Sequence, residues 1–559
     1  MKYRNLPEMH RRQANRLGSR PALRYKRHGL YHDISWEQYR ADALACAAAL
    51  VDAGIKPGDR VGVLSENRVE WLIADMAILT AGAVNVPPHC PLSARQIHFQ
   101  FEDADVRWAF VSSVDQLAKI QHIRAELPNL QGVVLFDRDD AAGQGKAAVL
   151  SWAWFLQHGR QILARTAPEL ARREAELASE HLATIMYTSG TTGNPKGVML
   201  THANLVSNAT ASLEVAPVLP DDLFLNWLPL SHIYARTCDH YQTLAAGVTL
   251  ALADSAETVV LNLAETQPTH VSSVPRFYEK VLAAVVCNDR AETARKLRAI
   301  FGPRIKWLAA GGAPLPKPIG EVFVAAGLPV YQGYGLTESS PVISFNRLGR
   351  NKLGTVGLPL PGVEIAIGPD GEVLTRGPHV MKGYWKNPSA TTAAIGDGWL
   401  HTGDLGEIDA EGFLSITGRK KDLMVLSNGK KVVPTEIEGL LLGEQCIDQA
   451  VIYGEGRNYL SALIVPQWEN LRRAMQENGT NVNGQPEVNL AKDPGVQAFL
   501  RKRIDVALAD MSNWEQVRKF LVLPQQFTVA AEELTVSLKL RRNVVLGKYA
   551  AQLEALYKE

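Results

Sequence analysis

Between Thr188 and Gly197, ten residues carry three glycines, three threonines, a serine, a proline and Lys196, directly after the apolar run Leu182 to Met186. Glycine lets successive backbone N–H groups turn toward one point, and such concavities bind anions. The hydroxyls of Thr188, Ser189, Thr191 and Thr192 and the Lys196 ammonium add donors and charge around Gly190 and Gly193. By composition this is a phosphate-binding loop. It is not the P-loop pattern, because Pro195 precedes Lys196 and Gly197 follows it. A flexible surface turn without a ligand would use the same residue types.

Extended from Tyr187 to Asn204, the stretch resembles the signature of the acyl-adenylate-forming superfamily, which includes acyl-CoA synthetases, luciferases and the adenylation domains of peptide synthetases. Further segments resemble that family in the same order. In Tyr331-Gln-Gly333-Tyr334-Gly335-Leu-Thr337-Glu338-Ser-Ser-Pro341 the resemblance implies that Tyr334 stacks on adenine between Gly333 and Gly335, Thr337 bonds the α-phosphate and Glu338 helps to bind Mg2+. An aromatic face suits a base, and a carboxylate oxygen suits a hard cation. Asp397-Gly-Trp-Leu-His-Thr-Gly-Asp404-Leu-Gly406 implies that Asp404 accepts from both ribose hydroxyls, with Arg419 making a further ribose contact. Ala309-Ala-Gly-Gly312-Ala313-Pro-Leu315 implies a backbone lining for the adenine and acyl sites, and Leu228-Pro-Leu-Ser-His232-Ile-Tyr-Ala-Arg236 a histidine between the acyl pocket and the thiol path. Glu533-Leu-Thr-Val-Ser-Leu-Lys539-Leu-Arg-Arg542 implies that Lys539 is the adenylation lysine, bridging the substrate carboxylate and the α-phosphate. Each has a plainer reading. Glu338 alone is a solvated loop carboxylate, Asp404 a turn residue, His232 a packed histidine, and Lys539 part of a solvated basic face with Arg541, Arg542 and Lys548.

The resemblance covers nearly the whole chain and leans toward long-chain fatty acyl-CoA synthetases, with Gly418 and Val536 as departures from the residues usual there. It implies two steps. A carboxylic acid, of long or medium chain, attacks the α-phosphorus of Mg-ATP to give an acyl adenylate and pyrophosphate, and coenzyme A then displaces AMP. Lys539 serves only the first step, so the C-terminal domain must rotate, and Lys421 matches the hinge position; alone it is a surface lysine. A fatty acyl-AMP ligase that delivers to a carrier protein shares the same motifs. From another class, a nucleotide-binding regulatory protein that has lost catalysis would keep the loop.

These groups need a scaffold. Helical patterns alternate with short apolar runs at 41–53 and 60–64, 71–81 and 83–87, and 120–127 and 132–136, which predicts α/β layers with a mainly parallel sheet. From Gly354 to Thr417 short alternating segments broken by Gly, Pro and Asp predict hairpins or a small β-barrel. Past Gly418 the charge density rises in Arg-Lys-Lys-Asp. The expected division is therefore a large N-terminal body over 1–418, with layered sheets, and a small α+β C-terminal domain over 419–559.

The 559 residues are 46% hydrophobic and 21% charged, the usage of a globular protein with a large core. Fifty-nine basic against 58 acidic residues leave a net charge of +1, so no global field gathers nucleic acid. Five scattered cysteines without a CxxC pair suggest neither a disulfide framework nor a zinc site and fit a reducing cytoplasm. No signal peptide and no run of 18 apolar residues is present, while peripheral contact with the cytoplasmic face of a membrane stays open.

Overall fold

The computed structural model describes residues 2–137, 149–188, 195–287, 289–480, 482, 484–528, 531–534 and 540–558. Two large sheets dominate the first 360 residues. One has eight strands, in the order Gly383–Tyr384, Lys196–Thr201, Leu182–Thr188, Val84–Val86, Arg60–Leu64, Val106–Val111, Gly132–Leu135 and Val149–Ser151. From Leu182–Thr188 onward its neighbours run parallel, as the alternation of helix and strand predicts. Parallel neighbours need crossovers, and helices Trp36–Asp52 and Val69–Thr80 cover the predicted 41–53 and 71–81, whereas the helix expected at 120–127 is Val114–Ile123, started earlier by the Ser113 cap.

The alanine-rich helix Trp36–Asp52 is buried along most of its length because helix Trp152–Glu176 lies against it. Gly159 makes that approach possible: a β-carbon there would stand 1.9 Å from the carbonyl oxygen of Ala45. The second sheet has nine strands, with a parallel centre running through Thr249–Leu252, Leu223–Asn226, His270–Ser273, Trp307–Ala310 and Val330–Gly335. Its strand Val330–Gly335 turns back through Thr337–Ser339 to pair antiparallel with Val342–Phe345.

A fully buried polar knot ties the two sheets together. Arg236 donates to Asp75 at 2.5 Å, to Thr184 at 2.8 Å and to Tyr241 at 2.8 Å, and Tyr241 and Asn85 donate in turn to Asp75 at 2.8 and 2.7 Å. Thr184 lies on the strand that leads into the phosphate loop, so the knot fixes that strand against the segment that carries His232. Arg236→Ala leaves a carboxylate buried without its cation. The expected cost is about 3–5 kcal/mol, read as a lower midpoint of the first urea unfolding transition.

Residues 364–419 form a five-stranded antiparallel sheet, in which Trp399–Ile408 pairs with both Glu372–Arg376 and Leu414–Arg419. The hairpins expected there are present. The small barrel is an open sheet among the described residues, because no ladder joins Glu364–Ile367 to Leu414–Arg419, and strands of four to six residues with register shifts twist apart at the edges. Beyond it, Ile447–Tyr453, Leu460–Pro466 and Val517–Val522 form a separate three-stranded sheet. All seven residues of Leu460–Pro466 are buried, since separate apolar clusters cover both faces of that sheet. No helix among the described residues is long and apolar enough to cross a membrane.

Candidate functional site

The hairpin of Leu182–Thr188 and Lys196–Thr201 frames the phosphate loop, with Thr188 and Lys196 facing each other across the ladder. Ser189, Gly190, Thr191, Thr192 and Gly193 lie outside the described residues. Thr201 caps the following helix, His202–Val215, and Asn204 ties the hairpin to the carbonyls of Pro378 and Val380 at 2.8 Å each. Pairing of Gly383–Tyr384 with Lys196–Thr201 brings Tyr384 under the lysine, whose Nζ stands 4.9 Å from the ring centre. The Tyr384 hydroxyl donates to Glu338 at 2.9 Å. Burial, then the Glu338 charge, pushes its phenol far up, so it remains a donor. Lys196, Tyr384 and Glu338 thus form one connected chain beside the loop.

A second cluster stands at the end of strand Val330–Gly335. The Tyr334 hydroxyl donates to one Asp404 oxygen at 2.7 Å, and Arg419 Nε reaches the other at 2.8 Å. Asp404 and Arg419 are cross-strand partners, which is how antiparallel pairing unites residues distant in sequence. Asp404 is 2% exposed, and both its oxygens are engaged, so a diol binding there shares them with Tyr334 and Arg419.

Beside Tyr334 opens a cavity of about 90 Å³ lined by His232, Gly312, Gly333, Tyr334, Gly335 and Thr337 among others. Residues assigned to adenine, phosphate and acyl binding therefore share one space. Ala313 is exposed beside it and is not among the lining residues. Gly312 has a φ of +81°, in the left-handed region. His232 Nδ1 accepts from the Tyr234 backbone N–H at 3.2 Å, and its ring lies 6.3 Å from that of His89, which burial holds down to about 4.

The profile of the AMP-binding enzymes matches residues 10–385, and that of the AMP-binding enzyme C-terminal domain matches residues 421–559. The chain belongs to the AMP-binding enzyme family. It is 35% identical to the long-chain-fatty-acid–CoA ligase FadD15 of Mycobacterium tuberculosis, over 95% of this chain and 93% of the relative. It is 27% identical to the chloroplastic long-chain-fatty-acid–[acyl-carrier-protein] ligase of Arabidopsis thaliana, over 99% and 87%. Its fold is similar to that of the adenylation domain of the carboxylic acid reductase from Segniliparus rugosus, solved with AMP and a co-purified carboxylic acid, at a TM-score of 0.79 and 21% identity over 99% and 94% of the two chains.

In this AMP-binding enzyme the junction of body and C-terminal domain is anchored on one side. Arg419 holds Asp404, and Lys420 pairs with Asp370 at 2.6 Å and with Glu372 at 3.3 Å. Lys421 comes next, with its side chain reaching solvent. Partial burial, then the charge of Arg419, lowers its pKa, against the opposing pull of Asp422, Asp404 and Glu338. Arg276 of the body also pairs with Asp448 of the three-stranded sheet.

Lys539 lies outside the described residues; the flanking Leu534 and Leu540 are joined by a β-bridge. The basic group around it is not a uniformly solvated face. Arg542 is largely buried and donates to both oxygens of Glu438, at 2.7 and 2.6 Å, and Lys548 donates to Glu533 at 2.7 Å. Sequence reasoning missed Tyr384 and Lys420. The Gly-Tyr-Trp run at 383–385 is a local hint of a strand, but nothing near it names Glu338 as its partner.

Proposed function

We propose that this enzyme is an ATP-dependent fatty acid–CoA ligase that works through an acyl adenylate. The observation that carries the reading is one cavity lined by Tyr334, Thr337 and His232, with the Tyr334 hydroxyl fixed on Asp404, whose other oxygen is held by Arg419. The curated relatives named above supply the substrate class. The Tyr334 ring offers adenine an apolar face, and Asp404 offers the ribose two acceptor oxygens already oriented by Tyr334 and Arg419. Lys196 and the loop donors hold the outer phosphates, and Thr337 holds the α-phosphate. The acid, oriented from the His232 side, presents a carboxylate oxygen to the α-phosphorus; that P–O bond forms as the bond to pyrophosphate breaks. In the second step the thiolate of coenzyme A attacks the acyl carbon, AMP leaves with the bonding pair, and the thiol proton passes to solvent or to His232.

Glu338 fits a magnesium site. It offers one hard carboxylate, oriented by Tyr384, and no group of three His, Cys, Asp or Glu among the described residues offers more. Magnesium is often held by one or two carboxylates and substrate phosphates. When bound it would neutralise phosphate charge. Glu338→Ala removes the carboxylate assigned to magnesium. The substitution is expected to raise the magnesium concentration for half-maximal acid-dependent pyrophosphate exchange by about tenfold. An unchanged magnesium curve would overturn the role of Glu338, and lack of exchange with every acid would overturn the ligase reading.

We further place the domain boundary at 418/419 and the pivot at Lys421. Arg419 and Lys420 are held by the body, and the next residue is the first without such an anchor. The chain then absorbs the rotation there, and the Arg276–Asp448 pair belongs to one of the two arrangements.

A further inference from the structure

Three polar side chains on the cavity wall are not needed by the steps above. Ser212 comes from helix His202–Val215, Gln242 from helix Gln242–Ala246 and Ser272 from strand His270–Ser273, and all three line the cavity. Each belongs to the body's interior, at 7%, 3% and 2% exposure. The Ser212 hydroxyl is buried and has no hydrogen-bond partner among the described residues. Behind Ser272 lies Asp239, wholly buried, with one oxygen accepting from Asn226 at 2.8 Å. Burial pushes this carboxyl up to about 7, against the pull of Ser272 and Asn226, so near neutrality it is both donor and acceptor.

A wall meant for an unbranched alkyl chain alone has no use for these groups. Ser272 already bonds Asp239, but burying Ser212 against methylenes strips its hydroxyl of water with nothing in exchange, and an unsatisfied group costs binding. The helices that carry Ser212 and Gln242 pack on each other. A site with hydrogen-bonding groups in place discriminates strongly against an analogue that lacks the matching group. We propose that the acyl cavity recognises an acid whose chain carries a hydroxyl or carbonyl substituent, and that Ser212, Gln242 and Ser272 are the side chains that read it. This deepens the ligase reading and rests on it.

The test is a matched panel of fatty acids, each unsubstituted and with one hydroxyl at successive carbons, assayed for thioester formation with the full-length wild type, Ser212→Ala and Gln242→Leu. The readout is the ratio of kcat/KM for substituted over unsubstituted acid. The expected wild-type ratio is about ten or more at one chain position, falling toward one in both variants. Ser212→Ala removes a single oxygen and carries the test if Gln242→Leu does not fold. A wild type that uses the unsubstituted acid as well or better at every position, or ratios unchanged in the variants, would overturn the inference and leave the ligase reading intact. No pyrophosphate exchange with any acid would overturn both.

Discussion

Replacing Lys539 by alanine is expected to abolish acyl-adenylate formation while sparing thioester formation from supplied acyl adenylate. The attacking carboxylate and the α-phosphate are both anionic, and charge accumulates between them as the P–O bond forms. A cation about 4 Å from that charge is worth about 4 kcal/mol at an effective dielectric near 20, which is about a thousandfold in rate. The thiol step develops no such charge on phosphorus and does not use the lysine. On either side of Lys539, Leu534 is bridged to Leu540 and Arg542 is held by Glu438, and the substitution touches none of these. Measuring pyrophosphate exchange and AMP release from pre-formed acyl adenylate on the same preparation separates the two steps. Equal loss in both would remove Lys539 from its assigned role.

The second large effect is expected at Gly335. A β-carbon there would stand 1.7 Å from the carbonyl oxygen of Pro341 and 2.6 Å from its carbon. The obstacle is backbone, so the strands 330–335 and 342–345 must part, and Tyr334 moves with them away from Asp404. Displacement of a binding group by about 1 Å costs on the order of a hundredfold in kcat/KM. Gly335→Ala should therefore lower kcat/KM for ATP by about that factor. Gly439→Ala is the control: nothing lies within 4 Å of the added methyl, it sits in helix Pro434–Leu442, and alanine favours helix by about 1 kcal/mol. Similar ATP kinetics in both variants would contradict the steric argument.

The groups with local signatures were legible in the sequence. Gly, Thr and Lys196 mark the phosphate loop, and the alternation of helices with the strands at 60–64, 84–86 and 132–135 marks the parallel sheet. The family resemblance supplied Asp404 and Arg419 as separate motifs, while their pairing across one hairpin required the register of strands 399–408 and 414–419. Tyr384 was invisible because its role depends on strand 383–384 docking beside 196–201, a long-range pairing that no local pattern encodes. Arg236 and Asp75 look like ordinary surface charges in sequence, since charged residues are seldom fully buried unless paired. Ser212 and Gln242 were hidden for the converse reason: small polar residues on a helix give no sign of facing an internal cavity.

The central claim is that one cavity forms an acyl adenylate and passes it to coenzyme A. The most direct measurement is a single turnover of enzyme with radiolabelled ATP and a fatty acid, quenched before and after addition of coenzyme A. The account predicts enzyme-bound acyl adenylate with pyrophosphate before addition, and its conversion to acyl-CoA and free AMP afterwards. Acyl adenylate that persists in the presence of coenzyme A, and is discharged only by an acyl carrier protein, would contradict it.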